Sequence, residues 1–225
     1  MIDLRRDGPV FVLMLDAGEN RFNPDFVSAV NAALDEVEAA GGPASLVTTG
    51  VGKFYSNGLD LQWMGSVGGV AARDGLARSL ALLARVLTFP CYTVAAVNGH
   101  AFGAGAQLAA AHDLRLMRTG RGYFCMPEID MGVRLHPGMV ALLQARLPLQ
   151  TVHDVIVTGK RYGAEDALAA RIVERALPED ELLPVAIAAA AEMASKANPA
   201  MGSLKRGLYG PALDALAGMP PDLFS

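Results

Sequence analysis

The stretch from Asn98 to Asp113, NGHAFGAGAQLAAAHD, combines a glycine-rich turn with the start of a helix that could hold an anion. It follows a buried strand predicted over Tyr92 to Val97. Glycines at 99, 103 and 105 permit tight turns and the close approach of a ligand. The first N–H groups of a helix are unpaired and carry partial positive charge, so they can stabilise an oxygen that gains charge in a reaction. The same residues also suit a close-packed core helix, and this stretch alone fits both interpretations.

A second candidate for chemistry is the carboxylate of Glu128. It lies in a mostly apolar segment, FCMPEIDMG, from Phe124 to Gly132, together with Asp130. An apolar setting raises the pKa of a carboxyl group and suits it to serve as a base. The alternative is that Glu128 is exposed to solvent or paired with an arginine, as most glutamates are.

Composition excludes several classes of protein. The chain has 225 residues, enough for one large domain or two small ones, and its net charge of −4 does not favour nucleic acid. Cys91 and Cys125 form no CxxC pair, which indicates a reducing compartment. The first residues lack the apolar run of a signal peptide, and no apolar run approaches the roughly 18 residues of a membrane span. We therefore expect a cytoplasmic protein that binds neither membrane nor metal.

Hydrophobic periodicity predicts a β/α first half and a helical last third. Strand, helix and strand in succession predict parallel crossovers. The segment 62–74 reads as a loop, either mobile over a ligand or plain surface. The predicted strands are Val10 to Leu15, Ser45 to Thr49, Tyr92 to Val97 and Leu114 to Met117. The predicted helices are Phe26 to Val37, Leu76 to Leu87, Met139 to Leu147, Thr151 to Thr158, Ala164 to Ala169, Glu181 to Ser195 and, broken at Gly207 and Gly210, Ala200 to Leu216.

Three segments together resemble the crotonase family, the enoyl-CoA hydratase/isomerase superfamily. They are KFYSNGLDL from Lys53, TVAAVNGHAFGAGAQLAAAHD from Thr93 and MPEIDMG from Met126, in matching order and spacing. The resemblance implies an α/β fold with a crotonase-like ββα spiral over residues 1–162. A C-terminal helical region, 163–225, would help assemble a homotrimer or hexamer. It also implies an acyl-CoA thioester as partner, with coenzyme A as part of the substrate and no separate cofactor.

The resemblance also implies roles for individual residues. The backbone N–H groups of Leu59 and Ala104 would hold the thioester oxygen while an enolate forms, and Glu128 would move the proton. Removing one such donor typically costs about 2.7–4 kcal/mol of barrier. Hydratases of the family use two glutamates, and the first would fall at Gln107, which cannot take a proton. The family's dienoyl-CoA isomerases use a second carboxylate that would fall at His136.

A single base is what a Δ3,Δ2-enoyl-CoA isomerase needs, because one group removes a proton from C2 and returns it at C4. Two alternatives stay open. One is another lyase or hydrolase on the same scaffold, such as a hydratase in which Gln107 orients water. The other is a non-catalytic acyl-CoA-binding protein.

Further substrate contacts can be assigned from the resemblance. Lys205 would either meet CoA phosphates or be a solvated surface lysine, and His136 would either line the acyl pocket or lie on the polar surface. Trp63 and Met64 would lie beside the acyl chain or pack in the core. The predicted substrate-binding residues are Asn20, Arg21, Phe22, Asn57, Gly58, Asp60, Leu61, Gln107 and His136.

Overall fold

The computed structural model describes residues 1–219, and within them the chain forms nine strands and ten α-helices. A short 3₁₀ helix, Ala194–Lys196, joins the last two helices. The strands are β1 (Ile2–Asp7), β2 (Val10–Leu15), β3 (Ser45–Gly50), β4 (Phe54–Ser56), β5 (Tyr92–Val97), β6 (His100–Phe102), β7 (Leu114–Arg118), β8 (Phe124–Cys125) and β9 (Arg175–Leu177). The helices are α1 (Pro24–Ala39), α2 (Leu61–Ser66), α3 (Gly69–Leu87), α4 (Ala104–Ala111), α5 (Glu128–Met131), α6 (Pro137–Arg146), α7 (Leu149–Thr158), α8 (Ala164–Ala169), α9 (Glu179–Met193) and α10 (Pro199–Ala217).

The larger sheet has six strands in the order β1-β2-β3-β5-β7-β9. Only β1 is antiparallel to its neighbour within this sheet; β2, β3, β5, β7 and β9 run parallel. The four strands predicted from apolar runs are all present, and α1 makes the predicted crossover between β2 and β3. Because both faces of these central strands are covered, they read as continuous apolar runs rather than as alternating patterns. The predicted α/β class is confirmed.

The smaller sheet has three short parallel strands in the order β4-β6-β8, and α4 packs directly on it. A Cβ added at Gly105 of α4 would lie 2.2 Å from the Ser56 carbonyl oxygen of β4. A Cβ added at Gly99 would lie 2.1 Å from the Lys53 carbonyl oxygen. Both contacts leave no room for a side chain, so glycine is required at these positions. Because the strands are parallel, the segments that follow all three emerge at one edge of this sheet.

Helices cover both faces of the larger sheet. On one face, Leu182, Ala186 and Ala190 of α9 pack against the central strands. On the other, α1 and α3 bury Leu34 and Leu80 in the main core. Strand β9 comes from beyond residue 162 and completes the larger sheet, so the C-terminal region contributes to this sheet as well as to the helical layer. The predicted boundary at residue 162 stays a prediction.

One prediction of local structure is wrong. Segment 62–74 is not a loop but contains α2 and the start of α3, because the Asp60 carboxylate accepts a hydrogen bond from the Trp63 N–H and caps α2. The predicted interruption of the last helix near Gly207 and Gly210 is present as a kink. Two helical parts of α10 meet at Tyr209, whose angles are not helical (φ −111°, ψ 15°).

Lys205 is neither a phosphate ligand nor a solvated lysine, so both sequence interpretations are wrong. Its ammonium group is buried and lies 2.6 Å from the Asp113 carboxylate. It also donates to the carbonyl oxygens of Phe89 (3.0 Å) and Cys91 (2.9 Å), so all three of its protons have acceptors. The Asp113 carboxylate in turn accepts hydrogen bonds from Thr93. This buried ion pair ties α10 to the end of α4.

We expect Lys205→Met to destabilise the protein by about 3–5 kcal/mol, because it leaves the Asp113 carboxylate buried without its cation. Lys196→Met, at an exposed lysine of the 3₁₀ helix, is the matched control and should change stability by less than about 0.5 kcal/mol. Chemical denaturation of both variants measures the difference. Equal stability of the two variants would contradict the role assigned to this pair.

Candidate active site

A cavity of about 630 Å³ opens at the edge of the smaller sheet where its three strands end. One part of its wall is apolar and comes from α2, α3, the segment after α5, and α6. The other part carries polar and charged groups. The apolar lining residues include Leu61, Met64, Ala72, Leu76, Met131, Val133 and Met139, and the polar ones are Arg21, Asn57, Glu128, Arg134, His136 and Arg161.

Two residues that line this cavity from adjacent segments, Leu59 and Ala104, have backbone N–H groups that bond to no other part of residues 1–219. Leu59 follows Gly58, whose φ of +80° turns the chain after β4, and Ala104 is the first residue of α4. A Cβ on Gly58 would lie only 3.1 Å from the Ala104 nitrogen, so the two segments are in direct contact. Within residues 1–219, neither the Leu59 N–H nor the Ala104 N–H has a protein acceptor. The pair is therefore available to an oxygen in the cavity.

The chain around Leu59 is held in place on both sides. The Phe22 N–H donates to the Gly58 carbonyl oxygen (2.8 Å), and the Asp60 N–H donates to the Phe22 carbonyl oxygen (3.1 Å). The hydroxyl of Ser56 donates to the Asn20 carbonyl oxygen (2.6 Å). These bonds fix the backbone before and after Leu59, so its free N–H has one defined direction.

Glu128 lies beside these donors as the first residue of α5. A Cβ on Gly103 would lie 3.4 Å from the Glu128 Oε1 atom, which places the carboxylate next to the residue that precedes Ala104. The other carboxylate oxygen, Oε2, is buried and has no hydrogen-bond partner in the described part of the chain. Burial raises the pKa of Glu128. The expectation that it is solvent-exposed or paired with an arginine is wrong for residues 1–219.

Gln107 is not among the residues that line the cavity, and its predicted contact with substrate stays a prediction. Its side chain is fully buried one turn into α4, and its amide nitrogen lies 4.0 Å from the sulfur of Met126, just after β8. Its carbonyl oxygen Oε1 has no hydrogen-bond partner among the described residues.

His136 lines the cavity and is buried, so its assignment to the polar surface is wrong. Its Nδ1 accepts the N–H of Gly138, which caps α6 (3.0 Å). Since a backbone N–H can only donate, the proton sits on Nε2, which donates to the Gly218 carbonyl oxygen (3.0 Å). Burial lowers the pKa of His136, which disfavours the charged form of the ring. With both nitrogens engaged, it is not free to exchange a proton with a ligand.

Four of the remaining predicted substrate-binding residues line the cavity. Arg21 and Asn57 line the opening and are joined by Glu19, which accepts from Arg21 Nε (2.7 Å) and Asn57 Nδ2 (2.8 Å). These hydrogen bonds, with Asn57 the largest contributor, lower the pKa of Glu19. Gly58 and Leu61 also line the cavity.

Asn20, Phe22 and Asp60 are not among the lining residues, and their predicted contact with coenzyme A, which for Asn20 and Phe22 is through the backbone, stays a prediction. The Asn20 amide is buried and donates to the carbonyl oxygens of Leu15 (2.9 Å) and Tyr55 (3.0 Å). The Phe22 ring is buried in the core, and Asp60 caps α2. Their side chains position the SNG turn rather than face the cavity.

Sequence reasoning missed several lining residues, among them Phe102, Met131, Arg134, Met139 and Arg161. These converge from β6, α5, α6 and the turn after α7, and no local pattern marks them. Phe102 follows the alternation of a strand too short to be predicted, with its ring 5.0 Å from that of His100. The guanidinium of Arg161 lies 6.0 Å above the Phe102 ring.

Other features of the described residues carry less chemistry. A groove of about 700 Å³ lies between α1, α3 and the start of α10, and two of its charged lining residues, Glu38 and Arg85, pair with each other (3.3 Å). Residues 1–219 contain no group of three or more histidine, cysteine, aspartate or glutamate side chains that could hold a metal ion. In the same range, every helix is too short or too polar to cross a membrane.

Comparison with known proteins identifies the family. The model of the enoyl-CoA hydratase/isomerase family matches residues 7–217. Enoyl-CoA delta isomerase 2, peroxisomal, of Arabidopsis thaliana is 31% identical over 240 residues, covering 100% of this chain and 98% of that protein. Enoyl-CoA delta isomerase 3 of the same plant is 36% identical over 182 residues, covering 78% and 76%.

The fold is shared with solved structures of the family. Human mitochondrial delta3-delta2-enoyl-CoA isomerase superposes with a TM-score of 0.88, covering 96% of this chain and 85% of that one. At 19% identity this likeness concerns the fold alone. The family model spans nearly the whole described chain, and the two Arabidopsis relatives align with it over most of their length. The chain therefore belongs to the enoyl-CoA hydratase/isomerase family, also called the crotonase family.

Proposed function

We propose that this protein is a Δ3,Δ2-enoyl-CoA isomerase that uses Glu128 as its proton shuttle. One observation carries the proposal: an unpaired, part-buried carboxylate lies next to two unpaired backbone N–H groups in a single cavity. That arrangement suits a reaction in which a carbon loses a proton while a nearby oxygen gains charge. The two Arabidopsis relatives named as enoyl-CoA delta isomerases support the same reaction class.

The proposed reaction moves one proton within the substrate. The thioester oxygen accepts hydrogen bonds from the N–H groups of Leu59 and Ala104. The Glu128 carboxylate removes a proton from C2, and the electron pair moves onto the thioester as an enolate. The protonated Glu128 then delivers this proton to C4, and the double bond comes to lie between C2 and C3. The proton count is unchanged, so no redox cofactor is needed and coenzyme A enters only as part of the substrate.

Burial of Glu128 favours this role in two ways. Its raised pKa makes it a stronger base toward C2 and a group able to hold the proton until C4 is in reach. The free oxygen Oε2 has no competing donor within residues 1–219. A carboxylate neutralised by an arginine would be a weaker base, because the cation stabilises its charged form.

Hydration is the less favoured alternative. It needs a second group that holds and activates water, and the two candidates are unsuitable. Gln107 is buried behind the cavity, and the two ring nitrogens of His136 are already hydrogen-bonded. With Glu128 as the free base at the cavity, transfer of one proton within the substrate is better supported than addition of water.

We assign the apolar wall to the acyl chain and the opening near Arg21, Asn57, Gly58 and Leu61 to the coenzyme A part of the substrate. The Arg21 guanidinium is half-exposed at the opening, where it can meet an anionic group, although it also pairs with Glu19. Assembly into a homotrimer or hexamer and a cytoplasmic location stay predictions. One Arabidopsis relative is named as peroxisomal, so its name does not favour the cytoplasm.

Turnover of a 3-enoyl-CoA tests the proposal directly. The purified protein should convert 3-hexenoyl-CoA to the conjugated 2-enoyl thioester, detected by its ultraviolet absorbance. Glu128→Gln should lower kcat by about 10²–10⁴-fold, because it removes the base. Asp130→Asn, at the exposed neighbouring carboxylate, is the matched control and should retain activity. Full activity in Glu128→Gln, or hydration of 2-enoyl-CoA faster than isomerisation, would refute the assignment.

The pH dependence of stability gives an independent test of Glu128. Its pKa is raised in the folded protein above the value of about 4.3 for an unfolded glutamate, so folding is opposed by ionisation. The penalty is absent below the unfolded pKa and complete above the folded pKa. Glu128→Gln should therefore raise the Tm at pH 7.5 and lose this advantage near pH 4. A lower Tm than that of the parent protein at pH 7.5 would show that the surroundings stabilise the charged form of Glu128 instead of opposing it.

Replacing Gly58 with alanine tests the spacing of the two N–H groups. Gly58→Ala places a methyl group 2.6 Å from the Phe102 carbonyl oxygen, which must push the two segments apart. We expect kcat to fall by about 10²-fold, since a displacement near 1 Å has effects of that order. Gly52→Ala is the control, because Gly52 has a similar φ of +74° with open space around it. If both variants lose activity equally, backbone strain rather than donor spacing is responsible.

A further inference from the structure

Two arginines hold the end of α4 that lies opposite the cavity. Arg146, the last residue of α6, donates to the carbonyl oxygens of Ala110 (3.0 Å), His112 (2.6 Å) and Asp113 (3.2 Å). Arg115 donates to the carbonyl oxygens of Ala110 (3.5 Å) and His112 (3.3 Å). The C-terminal carbonyls of a helix carry partial negative charge, so cations at this end complement the α4 dipole.

The charges at this end do not cancel. Arg115 is paired with Glu174, and Lys205 is paired with Asp113. Arg146 has no carboxylate partner among residues 1–219, and its partners are neutral carbonyls and the hydroxyl of Tyr209 (2.5 Å). Its guanidinium also lies 5.4 Å from the centre of the Tyr209 ring. One positive charge is therefore left over and is held in a part-buried position.

We propose that Arg146 is a positioning residue for the reaction, which acts through α4 on the charge that develops at the opposite end. The inference rests on the proposed function, because it needs an enolate oxygen at the Ala104 N–H. A cation at the C-terminal end keeps the peptide dipoles of α4 aligned and adds positive potential along the helix axis. Both effects stabilise negative charge at the N-terminus more than they stabilise the neutral thioester.

The size of the effect follows from the length of α4. Eight residues span about 12 Å, so the Arg146 charge lies roughly that far from the enolate oxygen. At an effective dielectric of about 20, a full charge at this distance changes a rate by about tenfold, and a partial charge by about threefold. The negative charge on the thioester oxygen is absent from the bound substrate and develops only during the reaction. Loss of the Arg146 charge should therefore lower kcat and leave KM unchanged.

The geometry keeps this effect constant during turnover. Helix α6 is capped by His136 in the cavity wall and ends at Arg146, and it packs against α4. Arg146 uses all three nitrogens of its guanidinium in these bonds, so its position relative to α4 is fixed. A lysine would keep the charge but could not reproduce the fork of donors.

The test compares three variants of the full-length protein: Arg146→Met, Arg146→Lys and Tyr209→Phe. Arg146→Met should lower kcat for 3-hexenoyl-CoA by about three- to tenfold with KM changed less than twofold. Exchange of the C2 hydrogen of butyryl-CoA with D₂O, which reports enolate formation alone, should slow by the same factor. Arg146→Lys should retain most of the activity. Tyr209→Phe removes one partner of Arg146 and leaves the charge, so it should lower the Tm without changing kcat.

The outcomes separate this inference from the proposed function. If the parent protein neither isomerises 3-hexenoyl-CoA nor exchanges the C2 hydrogen, the proposed function fails and the inference fails with it. If the parent protein is active and Arg146→Met keeps its kcat, the inference alone is overturned. It is also overturned if Tyr209→Phe and Arg146→Met lower kcat equally, because the effect would then follow from loosened packing. Should Arg146→Met fail to fold, loss of activity in a folded Arg146→Lys would likewise count against a role for the charge.

Discussion

The contact between the backbone of α4 and the smaller sheet is the constraint on which the site depends. Gly105 rests on the Ser56 carbonyl and Gly58 on the Phe102 carbonyl, at separations that exclude any side chain. This contact brings the turn after β4 beside the first residue of α4, and so places two N–H groups from segments 45 residues apart at one point. Larger residues here would separate the donors before they disturbed the core, which explains why the chain uses glycine at these positions.

The electrostatics of the site build on that contact. A carboxylate with an unpaired oxygen, two unpaired N–H groups and a neutral histidine surround one apolar cavity. The unpaired carboxylate oxygen and the two unpaired N–H groups would be costly to bury in an ordinary core, because each lacks a hydrogen-bond partner. The surrounding fold compensates with fully satisfied networks nearby, such as the Lys205–Asp113 pair and the amide of Asn20. The stabilising hydrogen bonds are thus made by residues outside the cavity, while the groups that line it include unpaired ones.

The sequence predicted those parts that depend on local pattern. Strands β2, β3, β5 and β7 are continuous apolar runs, and α1 and α3 have clear apolar stripes, so periodicity was sufficient. The predicted donors, Leu59 and Ala104, and the predicted base, Glu128, come from motifs within short segments, and their roles stay predictions. What the sequence left undecided or missed depends on distant partners. Lys205 pairs with Asp113, 92 residues away, and His136 donates a hydrogen bond to the Gly218 carbonyl oxygen, 82 residues away. Neither partner is visible from the residues around the lysine or the histidine.

The hydrogen bond from His136 to Gly218 has a consequence for how the cavity opens. It joins the wall made by α6 to a segment just past the end of α10, 82 residues further along the chain. Nearby, Arg73 of α3 donates to the Met219 carbonyl oxygen (3.0 Å), so the same short segment also holds the opposite wall. A chain shortened before Gly218 would retain every residue that touches the reacting atoms and yet lose the tie between the two walls. The two walls are thus joined through residues that do not themselves line the cavity.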